Sequence, residues 1–148
     1  MNVNIKKLRE NAKIPAYATE GAAAMDLCAC IENEGEITLQ AGERRIIPTG
    51  LAIALPDRNS VALLCARSGL AAKFGICLAN GIGVVDSDYR GEIGVALLNT
   101  SNAPYTVRHG DRIAQMMFTP VLTATLTVCD DLDDTARGAG GFGSTGKQ

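Results

Sequence analysis

The chain has 148 residues, of which 47% are hydrophobic and 20% charged, and its net charge is −2. This balance predicts one soluble globular domain with a sizeable core, and excludes a disordered chain. Lys and Arg are dispersed, which excludes a nucleic-acid duplex as main partner, and no apolar run approaches the roughly 20 residues of a membrane-spanning helix.

In order, the chain reads as short strands separated by turn signals. Residues 3–8 alternate weakly before Lys13-Ile14-Pro15 breaks the pattern. Residues 22–30 are alanine-rich enough for a helix, but Gly21 before them and the strand-like residues after them predict a strand. Strands follow over residues 36–40, 45–47 and 51–55, bounded by Ala41-Gly42, Pro48-Thr49-Gly50 and Pro56-Asp57. Residues 61–65 are wholly apolar, as in a strand buried on both faces. Ser68, followed by Ala and Leu and closed by Phe74-Gly75, predicts a short N-capped helix, the one helix expected.

The stretch Asn80 to Asn99 carries two apolar runs, Val84-Val85 and residues 93–98, around the polar turn Ser87-Asp88-Tyr89-Arg90-Gly91. Such a pattern predicts a β-hairpin with Asp86, Asp88 and Tyr89 crowded at its tip. Strands are further expected over residues 105–107 and 113–118, around the turn Arg108-His109-Gly110-Asp111, and over residues 123–128, where TATLTV alternates cleanly. The whole reads as an all-β sandwich or barrel. An acidic linker, residues 130–134, leads to a Gly-rich segment with little to bury, so we expect a core over residues 1–135 and a flexible arm over 136–148.

Several motifs invite false readings. Gly138-x-Gly140-x-x-Gly143 matches a dinucleotide fingerprint, but no helix start follows it to aim amides at phosphate. Residues 141–147 approach a Walker A loop, yet position 148 is Gln rather than Ser or Thr. Cys28-x-Cys30 is too tight for a zinc knuckle, and no His stands at ligand spacing. The five cysteines, without an apparent export signal, predict reduced thiols in the cytoplasm. Arg67-Ser68-Gly69 is the better phosphate candidate, since a guanidinium, a hydroxyl and exposed amides fall within three residues.

Five segments, in order, resemble the motifs of the trimeric dUTP pyrophosphatases, the dUTPases. They are Ala23-Ala24-Met25-Asp26-Leu27, Ala66-Arg67-Ser68-Gly69-Leu70-Ala71, the run from Asn80 to Gly91, Gly110-Asp111-Arg112-Ile113-Ala114-Gln115-Met116, and the Gly-rich run from Arg137 to Gly146. The departure is Ala66, where the family usually has Pro. The resemblance implies a jelly-roll-like β-barrel, assembled as a homotrimer with active sites at the subunit interfaces, that hydrolyses dUTP to dUMP and pyrophosphate with Mg²⁺. That reaction limits dUTP and supplies dUMP for dTTP synthesis. Asp86 is implied as the base for the attacking water, and Asp26 as a metal residue through water only. Asn80, Val84, Val85 and Gly94 would receive uracil, and Tyr89 would lie under the deoxyribose and exclude a 2′-hydroxyl. Arg67, Ser68, Gly69 and Gln115 would hold the phosphates. Arg137, Phe142 and Gly143 belong to the closing arm, with Arg137 on the γ-phosphate and Phe142 stacked on uracil. A deaminase of the dCTP branch would need Glu near Asp86, and a catalytically inactive homologue would be expected to lack part of this polar set.

Overall fold

The computed structural model describes residues 1–141. Short apolar runs between turn residues become strands, because a period-two pattern puts one face inward. These are β1 (Asn4–Lys7), β2 (Met25–Cys28), β3 (Glu36–Leu39), β4 (Arg44–Pro48), β5 (Leu51–Ala54) and β6 (Ser60–Cys65). Helix α1 (Ser68–Phe74) follows, then β7 (Ile76–Leu78), β8 (Gly83–Val85), β9 (Gly94–Asn99), β10 (Tyr105–Arg108) and β11 (Arg112–Pro120). No helix among the described residues is long and apolar enough to cross a membrane.

All the ladders are antiparallel. One sheet has the order β2-β11-β6-β8 and a second β4-β9-β7, while β1 pairs with β5 and β10 with β3. Every sheet gives side chains to a single core, among them Leu27, Leu39, Ile47, Leu51, Ile76, Val95, Val107 and Met116, all fully buried. Each contributes about 1.5–3 kcal/mol by leaving water. The closed result is a jelly-roll-like all-β barrel. At the end of β9, buried Asn99 donates from Nδ2 to the carbonyls of Leu39 (3.0 Å) and Ala103 (2.7 Å) and accepts from the Ser101 amide and hydroxyl. An unpaired amide there would be costly, so this one side chain joins β9 to β3 with no polar atom left over.

Residues 25–28 form a strand despite their alanine-rich neighbours, because β11 is there to pair with them. Three expectations need correction. Ser68 is the first helical residue rather than the cap. Arg67 holds the N-cap position in extended backbone and makes no side-chain cap bond, since a guanidinium only donates and cannot accept from the first helical amides; it donates to Asp26 instead. Gly75 does close the helix, in the left-handed conformation at φ 67°.

The stretch around Asp86 is not a hydrogen-bonded hairpin. β8 pairs with β6, whereas β9 pairs with β4 and β7, so its two arms enter different sheets. Finally, residues 123–128 form no strand: among the described residues none pairs with them, and Leu122, Leu126 and Val128 are 100%, 91% and 98% exposed.

Candidate active site

Where β8 and β9 part company they leave a cleft of about 200 Å³. Its walls are Asn80, Gly83, Val84, Val85 and Asp86 on one side and Tyr89, Glu92, Ile93 and Gly94 on the other, with Leu64 of β6 between. Asn80, Val84, Val85, Asp86, Tyr89 and Gly94, far apart in role but near in sequence, thus share one concavity. Leu64, Glu92 and Ile93 complete the lining and were not picked out by the sequence reading. For Leu64 the only signal would have been its pairing opposite Gly83, which no local pattern shows.

Two glycines let the walls stand where they do. A Cβ at Gly83 would come within 2.9 Å of the Leu64 Cβ, and one at Gly94 within 2.7 Å of the Ile46 Cγ2. Both spacings are closer than real side chains tolerate, so a larger residue at Gly83 would displace the buried Leu64, and one at Gly94 the exposed Ile46 side chain. The Asp86 carboxylate is exposed, and among the described residues no side chain or amide donates to it. It is an ionisable acceptor without an internal partner, open to a ligand or water. Tyr89 is 46% exposed, and its hydroxyl donates to the Glu92 carbonyl at 3.0 Å.

Behind this wall, Glu92 accepts a forked pair of bonds from Arg9 (2.7 and 3.2 Å). Burial works against the Arg9 charge, but Glu92 and, beside it, the Cys30 side chain outweigh it and hold the guanidinium above its ordinary pKa. Burial likewise pushes the Cys28 thiol up.

A second polar group forms at one end of the β2-β11-β6-β8 sheet. Because β11 lies between β2 and β6, Gln115 is level with both Asp26 and Cys65, and Arg67 follows two residues beyond Cys65. Arg67 Nε donates to Asp26 Oδ1 at 3.0 Å, and Arg112 donates to Oδ2 at 3.1 Å. Arg67 also donates to the Arg112 carbonyl, which closes a ring carrying one net positive charge. Ser68 and Gly69 are exposed beside it, and a Cβ at Gly69 would meet nothing within 4 Å. Nothing local in the sequence gives Arg112 a role; its place in this ring follows from its register next to Cys28.

Arg67, Ser68, Gly69 and Gln115 do not line the cleft of Asp86. Arg137 is exposed, donates to the Gly140 carbonyl at 2.8 Å and does not line the cleft, and Phe142 and Gly143 lie outside the described residues. One chain therefore carries the parts in separate places.

The donors do not make a resident metal site. Among the described residues no group of three or more His, Cys, Asp or Glu side chains comes together. Both oxygens of Asp26 already accept from guanidinium groups, so it offers no direct ligand to a bare ion.

Comparison with known proteins places the chain. A family model for dUTPase matches residues 10–146. The deoxyuridine 5′-triphosphate nucleotidohydrolase of Desulfitobacterium hafniense is 55% identical over 134 residues, covering 90% of this chain and 87% of that protein. The enzyme of the same name from Hahella chejuensis is 50% identical over 141 residues, covering 95% and 91%. Among solved structures, a mutant dUTPase of Staphylococcus bacteriophage 80alpha with dUpNHpp superposes with a TM-score of 0.88 at 24% identity, over 99% of each chain. A mutant dUTPase from phage phi11 of S. aureus, solved with a structural Mg(II) ion, gives 0.80 at 21% identity over 90% of this chain and 100% of that one. At such identities the two structures speak for the fold; the family model and the bacterial relatives settle kinship, and the chain belongs to the dUTPase family.

Proposed function

We propose that this protein hydrolyses dUTP to dUMP and pyrophosphate, which removes dUTP and supplies dUMP for dTTP synthesis. The observation that carries the reading is the cleft between β8 and β9, where Asn80, Val84, Val85, Gly94, Tyr89 and an unpaired Asp86 carboxylate meet. In this reading Asn80 and the main chain at Val84, Val85 and Gly94 receive the uracil edge. The close walls held by Gly83 and Gly94 leave no space for a 5-methyl group, so dTTP is refused by sterics. Tyr89 fills the space a 2′-hydroxyl needs.

Asp86 takes a proton from water as its oxygen attacks the α-phosphorus. The new P–O bond forms as the bond to the bridging oxygen breaks, and pyrophosphate leaves. Arg67, Ser68, Gly69 and Gln115 hold the phosphates, with Asp26 and Arg112 fixing the Arg67 fork. Mg²⁺ would arrive with the triphosphate and offset its charge, and Asp26 would face it only through water. Every other task falls to the chain's own side chains and backbone.

The separation of the phosphate-binding group from the cleft supports a site completed by other copies, and we propose a homotrimer. A chain that leaves Leu122, Leu126, Val128 and Ile46 (73%) exposed has apolar surface that a second copy would cover. The arm from residue 136 then closes over a neighbour's site, with Arg137 on the γ-phosphate. All five cysteines are free, which suits the cytoplasm we propose for it. The test is incubation with dUTP, dCTP, dTTP and UTP plus Mg²⁺ with products resolved, beside an Asp86→Asn variant. Only dUTP is consumed, yielding dUMP and pyrophosphate. The variant still binds nucleotide but turns over at least ~10²-fold more slowly. Deamination of dCTP, or near-normal turnover by the variant, overturns the reading.

A further inference from the structure

Arg9 lies in a segment to which the proposed chemistry assigns nothing, yet it is tied to the wall of the cleft. Its guanidinium grips Glu92 through both nitrogens, at 2.7 and 3.2 Å, and also donates to the Cys30 carbonyl at 3.2 Å. Glu92 Oε1 further accepts the Gly50 amide at 2.7 Å. That amide cannot drift: Gly50 has φ +69°, and its Cα is packed so tightly that a Cβ would lie 2.8 Å from both the Ala12 Cβ and the Cys30 Sγ. The Glu92 side chain is thus fixed from two directions, by a fork that sets angle as well as distance and by an immovable turn.

The main chain beside it is fixed too. The Ile93 carbonyl accepts from the buried Thr49 hydroxyl at 2.6 Å, and the Ile93 amide donates to Leu51 at 2.8 Å. The Glu92 carbonyl, between these anchors, receives the Tyr89 hydroxyl. Because the Tyr89 ring is 46% exposed, packing alone holds it weakly, and that hydrogen bond sets its tilt. We infer that Arg9 is a positioning residue for sugar selection: through Glu92 it fixes the acceptor of the Tyr89 hydroxyl, and so decides how firmly a ribonucleotide is refused. The inference rests on the reading of Tyr89 given above and adds a distant residue to it.

The test compares kcat/KM for dUTP and UTP in the full-length wild type, Arg9→Leu, Arg9→Lys, Tyr89→Phe and the Arg9→Leu/Tyr89→Phe double variant. Hydrogen exchange over residues 86–94 is measured without nucleotide on each. Arg9→Leu raises the UTP:dUTP ratio roughly tenfold, and Arg9→Lys, which keeps the charge but not the fork, roughly threefold. In the Tyr89→Phe background the same Arg9→Leu change adds less than about twofold, because the link is already cut. Exchange over 86–94 rises in Arg9→Leu whatever the chain hydrolyses. Three results overturn the inference alone in an enzyme that consumes dUTP: an unchanged ratio, equal increments in both backgrounds, or native exchange in Arg9→Leu. Raised exchange in a protein whose wild type leaves dUTP intact instead overturns the proposed activity, and sugar selection with it, and keeps only the anchoring of the loop.

Discussion

Gly91→Ala tests whether the position of the Tyr89 ring, rather than its chemistry, sets the choice of sugar. A Cβ at Gly91 would overlap the Tyr89 hydroxyl oxygen and lie 3.0 Å from its Cε2. Gly91 is not in the left-handed region, so alanine brings no backbone strain. The obstacle is the far end of a side chain that is 46% exposed, so it is relieved by swinging the ring outward with little loss of burial. The swing breaks the 3.0 Å bond to the Glu92 carbonyl, which costs about 1 kcal/mol. Alanine returns about 0.4–1 kcal/mol by restricting the unfolded chain. Folding stability is therefore nearly unchanged, and Tm moves by less than ~4 °C. The ring no longer fills its place under the sugar, and about 1 kcal/mol of lost discrimination raises the UTP:dUTP ratio of kcat/KM about fivefold. Parallel steady-state assays and a thermal melt read both numbers. An unchanged ratio at unchanged Tm refutes the role of ring position; a drop of more than ~8 °C refutes the claim that the ring yields first.

Gly50→Ala, by contrast, meets Ala12 and Cys30 at 2.8 Å in left-handed backbone and should cost at least ~2–3 kcal/mol, seen as a lower urea midpoint with unchanged slope. A chain ending at Thr135 keeps the full-length melting curve, since Arg137 and Gly138 bond only within the arm and to Thr135, but loses dUTP turnover; retained turnover would remove the arm from the site. Burial raises the Cys28 thiol, so the unfolded chain releases that proton at lower pH than the folded one. That stability is whole below the ordinary thiol pKa and falls as pH rises through it, so Cys28→Ala flattens the alkaline limb of a Tm–pH curve, and an unaltered limb contradicts the assignment.

What could be read from the sequence was local. The helix end at Gly75 shows because a glycine after an apolar run is a backbone statement in itself. Six residues of the cleft stand out together because they sit within fifteen positions of one another, from Asn80 to Gly94. Pairing partners are another matter. Val84-Val85 and the run at Ile93 look like two arms of a hairpin, and only the competing ladders of β6 and β4 draw them apart. TATLTV has the period of a strand, but a period does not supply the neighbour that would make it one. Arg67 stands out in the sequence beside Ser68 and Gly69, yet its carboxylate partner stands 41 positions earlier, and Glu92 stands 83 positions from Arg9. Contacts at such separation leave no trace in spacing.

If the cleft receives uracil as proposed, the parting of β8 from β9 makes base recognition a matter of sheet thickness. The two jaws of the slot belong to different layers, so its gauge is set by whatever fills the space between them: Ala62 and Leu64 under one jaw, Ile47 and Val95 under the other. A bulkier residue at Ala62 would act as a shim, admitting a methylated pyrimidine without any change in a nucleotide contact. Selectivity for uracil would then be inherited from the core, and a core repacked only for stability would detune it.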